Sequence, residues 1–440
     1  MRMFNRHRGK AALAAVAASA LALSACSGDG DDQEAATNED GKKVLTLRIF
    51  QDFGYEALVA EYNDMQDDVE VVMEGQGTNF DAEHRPAVET ALEAGTSPGD
   101  VIGMDEQAMA QMMVRSDWWA DLAEHGYDSR ASEYPDWKWE LGHTVDGGLA
   151  GFGTDVGGMG LCYRADLFEE AGLPTDRAEL AAAWSDWDGF TDLAQQFVDS
   201  DVDADFVDSP TQLQNMILGQ TAGQGDGQMY VDADGNLTLE SAAVQNAVET
   251  ILELNEIGAI GQWAAWSEEW TAAHAEGGFA VASCPSWMVG LVEDWAGEDN
   301  AGNWDFAAAP GVSGNWGGSW LLVPANTPYP EEAAELAAWL TAPEQQVKAF
   351  EAVGAFPSTL EGAAEASSLT NPYFNDAPVG EIIAGSVAEF PALEYAELHH
   401  PVKQAVEGVL NGLLDGTYSS DEVWDAIQTE AENAAALGGM

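Results

Sequence analysis

The residues of this chain that could do chemistry are carboxylates and tryptophans, without the arrangements that catalysis or metal binding needs. The 440 residues include 77 Asp and Glu and 16 Trp but only 3 Cys and 7 His. No HExxH, P-loop or GxGxxG sequence occurs in the mature chain, so zinc, phosphate and dinucleotide motifs are missing. Two carboxylates, which suffice for a glycoside hydrolase, occur in almost any window. We expect binding rather than catalysis, with no cofactor and no metal ion.

The charge balance excludes one class of partner. Only 15 Lys and Arg face the 77 acids, which gives a net charge of −62. Phosphate backbones repel a chain of this charge, so nucleic acid is not expected as a partner. A solvated surface suited to high salt, where repulsion between charges is screened, explains the general acidity without a specific acidic site.

The N-terminus predicts export and lipid attachment. A basic start precedes an apolar stretch from Ala11 to about Ala22, which is too short for a permanent membrane span and is typical of a signal peptide. The stretch ends in Leu23-Ser24-Ala25-Cys26, which resembles a bacterial lipobox; a simple cleavage site with an incidental cysteine is the alternative. We predict a signal peptide over 1–25 and a lipid anchor on Cys26 at the extracellular face of the cytoplasmic membrane.

The segment after the anchor is polar and acidic. Residues 26–43 contain no large apolar side chain, and most of their charges are negative. Such a composition cannot bury enough apolar surface to fold. We predict a flexible tether between the lipid and the folded part of the protein.

The two remaining cysteines lie in apolar runs. Cys162 occurs in GLCYR and Cys284 in VASCPS, and both runs are typical of buried strands. Outside the membrane a disulfide is permitted. A bridge between neighbouring strands is our interpretation, with two buried free thiols as the alternative. Neither cysteine belongs to a CxxC motif or a Cys/His cluster, so no metal site is predicted.

The first part of the mature chain predicts an α/β arrangement. Apolar patterns predict strands at Val44–Phe50, Val69–Met73 and Val101–Met104, with a helix after each of the first two. This β-α-β-α-β order implies a parallel sheet flanked by helices. Ligands bind such sheets outside the carboxyl ends of the strands. Those ends are residues 51–54, 75–79 and 105–107.

Three later segments share the features of one family. The first segment, 161–176, suggests a strand, a helix and a turn. The second, 276–295, contains Pro285-Ser286-Trp287. The third, 314–350, contains a Gly-Gly pair and an Ala-rich helix and is followed by 353–357. In order and spacing they resemble the extracellular solute-binding proteins of family 1, the carbohydrate ABC transporter substrate-binding lipoproteins, and among them the actinobacterial type. The resemblance spans nearly the whole mature chain.

The resemblance implies a two-lobed α/β fold of the periplasmic-binding-protein type (class II). Two parallel-type sheets flanked by helices would be joined by crossover hinge strands. Lobe 1 is expected over 44–152 plus 318–355, and lobe 2 over 153–317 plus 356–440. Hinge rotation would close the lobes on a ligand.

The function implied by the resemblance is capture of a di- or oligosaccharide outside the cell and its delivery to the permease of an ABC importer. The partners would be the oligosaccharide, the permease subunits and, through the lipid, the membrane, and the protein itself would be a monomer. A lipid-anchored carbohydrate hydrolase is one alternative. A polyamine-binding transport protein is another, whose cleft would also hold acids and aromatic rings but would not bind neutral sugars.

Tryptophans are the candidate stacking residues, because a pyranose has apolar faces that pack on aromatic rings. The resemblance favours Trp287, in a strand-to-helix turn. Trp316 is the second candidate, because Gly317 and Gly318 after it would let the backbone approach a ligand. A buried core tryptophan is the alternative for each. Helical patterns predict packing roles for Trp118, Trp119, Trp184, Trp187 and Trp339, whereas Trp263, Trp266 and Trp270 are undecided candidates for the cleft.

Carboxylates are the candidate partners for sugar hydroxyls. We favour Asp105 at the end of the third strand and Asp155 beside the first crossover, and Asp52 after the first strand is a further candidate. Acidic loop residues are common in this chain, so position alone selects these three. The pair His399-His400, followed by Pro401, predicts a surface loop.

Overall fold

The computed structural model describes residues 36–221, 229–232, 234–311, 314–387 and 396–438. The predicted signal peptide, Cys26 and most of the tether lie outside these ranges. Within them, no helix is both long enough and apolar enough to cross a membrane.

The strands form two sheets. They are β1 (Lys43–Arg48), β2 (Val69–Glu74), β3 (Val101–Asp105), β4 (Gly151–Gly153), β5 (Met159–Arg164), β6 (Asp205–Val207), β7 (Phe279–Pro285), β8 (Trp304–Ala308) and β9 (Ser319–Leu322). The first sheet has the order β2-β1-β3-β9-β4 and the second the order β6-β7-β5-β8. The predicted two-lobed α/β fold is confirmed in having two sheets flanked by helices.

The strand directions differ from the parallel-type sheets that we expected. In the first sheet β1 is parallel to β2 and β3, but β9 is antiparallel to β3 and β4. In the second sheet only β6 and β7 are parallel, and β5 is antiparallel to both β7 and β8. The reason is that the chain passes between the sheets more than once, so a returning segment such as β9 enters its sheet from the opposite end.

Helices cover both sheets. They are α1 (Glu56–Met65), α2 (Arg85–Glu93), α3 (Glu106–Met113), α4 (Asp136–Glu140), α5 (Ala165–Ala171), α6 (Arg177–Ala183), α7 (Trp187–Val198), α8 (Pro210–Thr221), α9 (Ala242–Glu256), α10 (Glu268–Glu276), α11 (Met288–Ala296), α12 (Pro330–Leu340), α13 (Pro343–Val353), α14 (Leu360–Ala366), α15 (Val379–Val387), α16 (His399–Leu414) and α17 (Val423–Gly438). A π-helical turn, Phe80–His84, leads into α2.

The patterns read from the sequence explain the first β-α-β unit. Leu45 and Leu47 alternate along β1 and are fully buried, and Leu58, Val59 and Tyr62 form the buried face of α1. The strand ends earlier than the apolar run because the backbone turns after it. These side chains belong to the core of the first sheet, while α7, α8, α9 and α16 pack in the core of the second.

Three chain segments cross between the sheets side by side. Asp155 of the first segment pairs with Pro357 of the third, and Gly158 pairs with Asn315 of the second. The segments approach so closely that a Cβ atom on Gly157 would lie 1.8 Å from the carbonyl oxygen of Trp316. Only glycine fits at that position, so the Gly-rich composition of this region is a packing requirement.

A buried polar network, which we call the hinge network, holds the crossing segments together. Asn315 donates from Nδ2 to Glu106 Oε1 at 2.9 Å and accepts from the Gly157 backbone at 2.8 Å. Lys138, fully buried, has its Nζ 3.7 Å from Glu106 Oε2. Gln346 donates to the Gly153 carbonyl at 2.9 Å and accepts from Thr359 of the third segment. All three crossings therefore share buried side-chain partners.

A disulfide links two central strands of the second sheet. Cys162 lies on β5 and Cys284 on the neighbouring strand β7, and their Cα atoms are 5.4 Å apart. Both side chains are fully buried. The antiparallel register places Cys162 opposite Ala282 and Cys284 opposite Gly160, so the two cysteines are diagonal neighbours, which sequence patterns alone did not specify.

Removal of this bridge should destabilise the protein. We expect the double variant Cys162→Ala, Cys284→Ala to lose about 2–4 kcal/mol of unfolding free energy, because the bridge closes a long loop in the unfolded chain, with a sequence separation of 122. Urea unfolding with and without reductant measures the effect. Reductant should lower the midpoint of the wild type but not of the variant, and equal midpoints for oxidised and reduced wild type would contradict the prediction.

Candidate functional site

A cleft of about 330 Å³ lies between the two sheets, in contact with the crossing segments. This volume is within the range of small-molecule sites. The carboxyl ends of β1 and β3 contribute one wall, and α11, α16 and the loop before α10 contribute the other. All six predicted site residues line this one cleft: Asp52, Asp105, Asp155, Trp287, Trp316 and Gly318.

The strand-end rule explains the positions of two of the acids. Asp52 is exposed in the loop after β1 and accepts a hydrogen bond from the Gly54 backbone at 2.8 Å. Asp105 ends β3 and caps α3, because its Oδ1 accepts from the Gln107 backbone at 2.9 Å. Since β1 and β3 are parallel neighbours, their ends meet at the same edge and bring the two carboxylates to the cleft.

Asp105 has an unusual charge environment. Burial raises the pKa of this carboxyl from its ordinary value of 3.8 to about 6, and the hydrogen bond from Gln107 only partly offsets that effect. A carboxyl that titrates near pH 6 can accept hydrogen bonds when ionised and donate one when protonated. It can therefore bind a ligand hydroxyl in either state.

Asp155 and Gly318 belong to the hinge as well as to the cleft. Asp155 is buried and accepts hydrogen bonds from Thr154 Oγ1 at 2.6 Å and from the Ser319 backbone at 2.9 Å. Burial raises the pKa of Asp155, and the nearby charge of Lys138 lowers it. Gly318 has φ +107°, and a Cβ there would lie 2.6 Å from the Asp155 carbonyl oxygen. The crossing segments require this glycine whether or not a ligand approaches it.

The two predicted stacking tryptophans touch each other. Trp287 is half-buried at the start of α11 and donates from Nε1 to the carbonyl oxygen of Trp316 at 2.9 Å. Their ring centroids are 5.4 Å apart in an edge-to-face arrangement. Trp316 is more buried, with 7% of its surface exposed. Trp287 therefore offers the larger ring surface to a ligand.

Among the three undecided tryptophans, the structure brings only Trp266 to the cleft. Trp270 is fully buried and donates to Asp208, while Trp263 donates to Asp205. Trp266 is 39% exposed, and its ring stacks on that of Trp287 with centroids 6.0 Å apart and an interplanar angle of 16°. We call these two rings the tryptophan platform.

The backbone of Trp266 is strained. Its φ is +70°, a left-handed conformation that bulky residues rarely adopt. Such strain persists where the surroundings impose it and is concentrated at functional sites. The Trp270 ring packs tilted against the Trp266 ring, with centroids 5.5 Å apart, and the Trp295 ring packs edge-on, with centroids 5.9 Å apart. These contacts hold Trp266 in place. No sequence pattern marks this conformation, so sequence reasoning could not choose Trp266.

The surface loop predicted at His399-His400 is wrong. Both histidines are 3% exposed and begin the long helix α16. Pro401 does not prevent this, because proline is tolerated in the first turn, where its missing N–H would have no helical partner. The spacing of the cleft-lining polar residues on this helix, three and then four apart, is a signal that sequence reasoning missed. These residues are His400, Lys403, Glu407 and Asn411.

The polar face of α16 is internally paired. Lys403 donates to Glu407 at 2.6 Å, and Asn215 of α8 donates to the same carboxylate at 2.7 Å. Contact with Glu407 raises the pKa of Lys403 although burial opposes it. Across the cleft, His400 Nε2 lies 2.8 Å from Asp81 Oδ1. Buried charges on this wall are thus compensated by neighbours.

Two glutamines bring unused polar atoms to the cleft. Gln212 of α8 is 2% exposed, and its Nε2 has no hydrogen-bond partner among the described residues. Gln107 of α3 likewise has an Oε1 atom without a partner in the described ranges. Buried polar atoms are normally satisfied, so unused ones beside a cavity indicate contacts to a ligand or to water.

One serine has the Gly-x-Ser-x-Gly spacing of a hydrolase nucleophile but lies outside the cleft. Residues 95–99 read Gly-Thr-Ser-Pro-Gly, but Ser97 follows α2 and precedes β3, the reverse of the strand-turn-helix that exposes such a serine. Its hydroxyl donates to the Gly99 carbonyl. Ser97 does not line the cleft, so the motif supplies no nucleophile there.

Comparison with known proteins finds one family. Residues 57–375 match the sequence profile of the family described as bacterial extracellular solute-binding protein. A lactose-binding protein from Rhizobium radiobacter is 27% identical over 309 residues, which cover 66% of this chain and 68% of that protein.

Solved structures show the same fold. The crystal structure of an extracellular solute-binding protein of family 1 is 35% identical, with a TM-score of 0.76, and covers 89% of this chain and 99% of its own. The ABC transporter associated binding protein from B. animalis subsp. lactis Bl-04, in complex with beta-1,6-galactobiose, is 19% identical with a TM-score of 0.74, and covers 90% and 98%.

Asp105 should make stability depend on pH. Its raised pKa means that the folded state binds the proton more tightly, so its contribution to stability is present below pH 4 and is lost as pH rises through about 6. Asp105→Asn, which still caps the helix, should raise the unfolding free energy at pH 8 by about 1–3 kcal/mol. Urea unfolding between pH 8 and 4.5 should show this gain shrinking as pH falls.

The control for this prediction is Asp52→Asn, which changes an exposed acid of the same cleft. We expect it to leave stability nearly unchanged across the same pH range. A gain for Asp105→Asn that is equally large at both ends of the range would point to helix capping and would contradict the assignment to a buried charge.

Proposed function

Because the chain belongs to the bacterial extracellular solute-binding protein family, we propose that it captures a di- or oligosaccharide in its cleft and delivers it to an ABC permease. The relatives that support this are named for lactose binding and for a complex with galactobiose, both disaccharides. The fold and the cleft agree with the binding of such a ligand.

One observation carries the proposal: an exposed tryptophan platform that shares a cleft with carboxylates and amides. Stacked Trp266 and Trp287 can pack on the apolar face of a pyranose. Asp105 at the end of β3, Gln107 of α3 and Asp294 of α11 line the same cavity and can pair with hydroxyls. A ligand with one apolar face and many hydroxyls suits both surfaces at once.

The lobes that enclose the ligand are proposed to be 44–152 plus 318–355 and 153–317 plus 356–440. The side-by-side crossing segments between the sheets support rotation about one axis, because several neighbouring connections resist twist. Closure would require only that the sugar binds the closed form more tightly than the open form. A permease could then recognise the loaded protein by its closed shape.

We also propose that the mature protein is held at the extracellular face of the cytoplasmic membrane by lipid on Cys26 and acts as a monomer. The lipobox-like Leu23-Ser24-Ala25-Cys26 supports the anchor. Two acyl chains would give stable attachment, whereas one would give only marginal attachment. The acidic tether would keep the cleft clear of the membrane surface.

Non-enzymatic binding is proposed over carbohydrate hydrolysis. The relatives are named as binding proteins, and the serine with nucleophile-like spacing lies away from the cleft. A polyamine binder would also suit a cleft with acids and rings, so the two transport functions must be separated by experiment. Incubation with ligand should give stoichiometric binding and no product.

A thermal-shift screen tests the proposed function. Neutral mono-, di- and oligosaccharides and a polyamine such as spermidine are added to the mature protein without its lipid anchor. A fitting sugar at 100 times its Kd should raise the apparent stability by about 2.7 kcal/mol. The same sugar should lower the radius of gyration in small-angle scattering. Stabilisation by spermidine alone, or release of shorter sugars, would replace the proposal by the corresponding alternative.

Removal of one platform ring should abolish sugar binding with modest loss of stability. Trp287→Ala deletes a half-buried ring that a pyranose would cover, so calorimetry should detect no binding of the sugar found in the screen. The folded protein should persist, because the full cost of about 3–5 kcal/mol applies to fully buried rings.

Trp304→Ala is the matched control, since Trp304 is fully buried and does not line the cleft. It should lower the melting temperature strongly and leave the affinity of the remaining folded protein near that of the wild type. A Trp287→Ala protein that melts as low as the control would identify Trp287 as a core residue.

A further inference from the structure

One close polar contact joins the two sides of the cleft. Asp81 belongs to the π-helical turn before α2, on the side of the first sheet, and His400 begins α16. The helix α16 packs in the core of the second sheet through Val402, Val406 and Val409. His400 Nε2 and Asp81 Oδ1 are 2.8 Å apart, and both residues line the cavity. We call this pair the clasp.

We propose that His400 is a ligand-binding residue of the cleft, with its imidazole oriented from the opposite wall by Asp81 and its other ring nitrogen bound to a hydroxyl of the sugar. The inference rests on the proposed function for the nature of the ligand. The contact between the two residues stands independently of it.

The buried environment of His400 favours a role in ligand binding. The residue is 3% exposed, and neither of its ring nitrogens makes a hydrogen bond within the described ranges of the chain, although Nε2 lies 2.8 Å from Asp81 Oδ1. Burial without a partner is unfavourable for a polar atom, so such atoms are rare unless they serve a ligand or water. Because Nε2 is in close contact with the Asp81 carboxylate, Nδ1 is the ring atom left for a ligand that enters the cavity.

The environment of Asp81 favours the ionised form of its carboxyl group. Burial by itself would raise the pKa of Asp81, but the contact with His400 and the charges of His400, Lys403 and Arg85 lower it. Arg85 Nε lies 3.8 Å from the same carboxylate oxygen. An ionised acid beside Nε2 fixes the orientation of the ring. Asp81 is thus a positioning residue, and His400 is the contact.

The chemistry of the pair selects neutral hydroxyls. An imidazole nitrogen can donate or accept, and a hydroxyl can do either, so the two match in both protonation states. A uronic acid or a phosphosugar would bring its anion into the same cleft as Asp52, Asp105 and Asp294. Like charges at such distances repel, so anionic sugars should be rejected.

Two isosteric variants separate the two ring atoms. Gln at position 400 places its amide about where Nε2 lies, and Asn places it about where Nδ1 lies. His400→Gln should therefore keep the contact with Asp81 but lose the ligand contact, and we expect about tenfold weaker sugar binding with little change in ligand-free melting. His400→Asn should retain more of the affinity and lose the clasp. His125→Gln, at an exposed site, is the matched control.

A double-mutant cycle tests the clasp without ligand. His400→Asn and Asp81→Asn are measured singly and together by urea unfolding of the ligand-free protein. Residues in contact give non-additive effects, so the double variant should be more stable than the sum of the single losses predicts. Additive losses would overturn the contact, and with it the orienting role of Asp81.

The outcomes distinguish this inference from the proposed function. If the wild type binds sugar and His400→Gln binds it as tightly as His125→Gln does, the proposed function stands and the role of His400 is wrong. If the wild type binds no sugar in the screen, the proposed function fails, the sugar contact of His400 fails with it, and the cycle alone decides the clasp. Tighter binding of a uronic acid than of its neutral analogue would overturn the selection of hydroxyls.

Discussion

The buried hinge network is the interaction on which the rest of this structure depends. Lys138 and Glu106 are taken out of water at the junction of the two sheets, and Asn315 ties Glu106 to the crossing segments. Burial lowers the pKa of Lys138, and the nearby acids Glu106 and Asp155 counteract it. A buried pair of this kind adds little net stability, because desolvation offsets the attraction, but loss of one partner leaves an uncompensated charge. The network therefore fixes the register of the crossing segments, because only one alignment satisfies these buried groups.

The geometry of the cleft follows from that alignment of the crossing segments. The crossings deliver Asp155, Trp316 and Gly318 to its floor, while the parallel strands β1 and β3 deliver Asp52 and Asp105 to one wall. The opposite wall is built on the second sheet, where the disulfide joins β5 to β7 and the strand β7 leads directly into Trp287 and α11. Helices and strands therefore carry most of the polar and aromatic groups of the cleft.

In so acidic a chain, two acids of the cleft walls have close partners. Glu407 is paired with Lys403 and Asn215, and Asp81 with His400. Because His400 and Lys403 are buried, each attraction is stronger than it would be in water. Apolar ring surface from Trp266 and Trp287 lies beside them. A binding surface that combines stacking with oriented hydrogen bonds arises from this pairing and not from the net charge of the chain.

The sequence by itself determined the elements and most of the candidate site. Apolar periodicity located β1, β2, β3 and the helices between them, and the rule of strand ends selected Asp52 and Asp105, because both signals are local. Only the tertiary structure decided the antiparallel returns of the strands, the choice of Trp266 among three tryptophans, and the burial of His400 on α16. Each of these depends on contacts between segments far apart in the chain. No local sequence signal predicts the contact between residues 81 and 400. That contact forms only because the crossing segments bring the two sheets face to face.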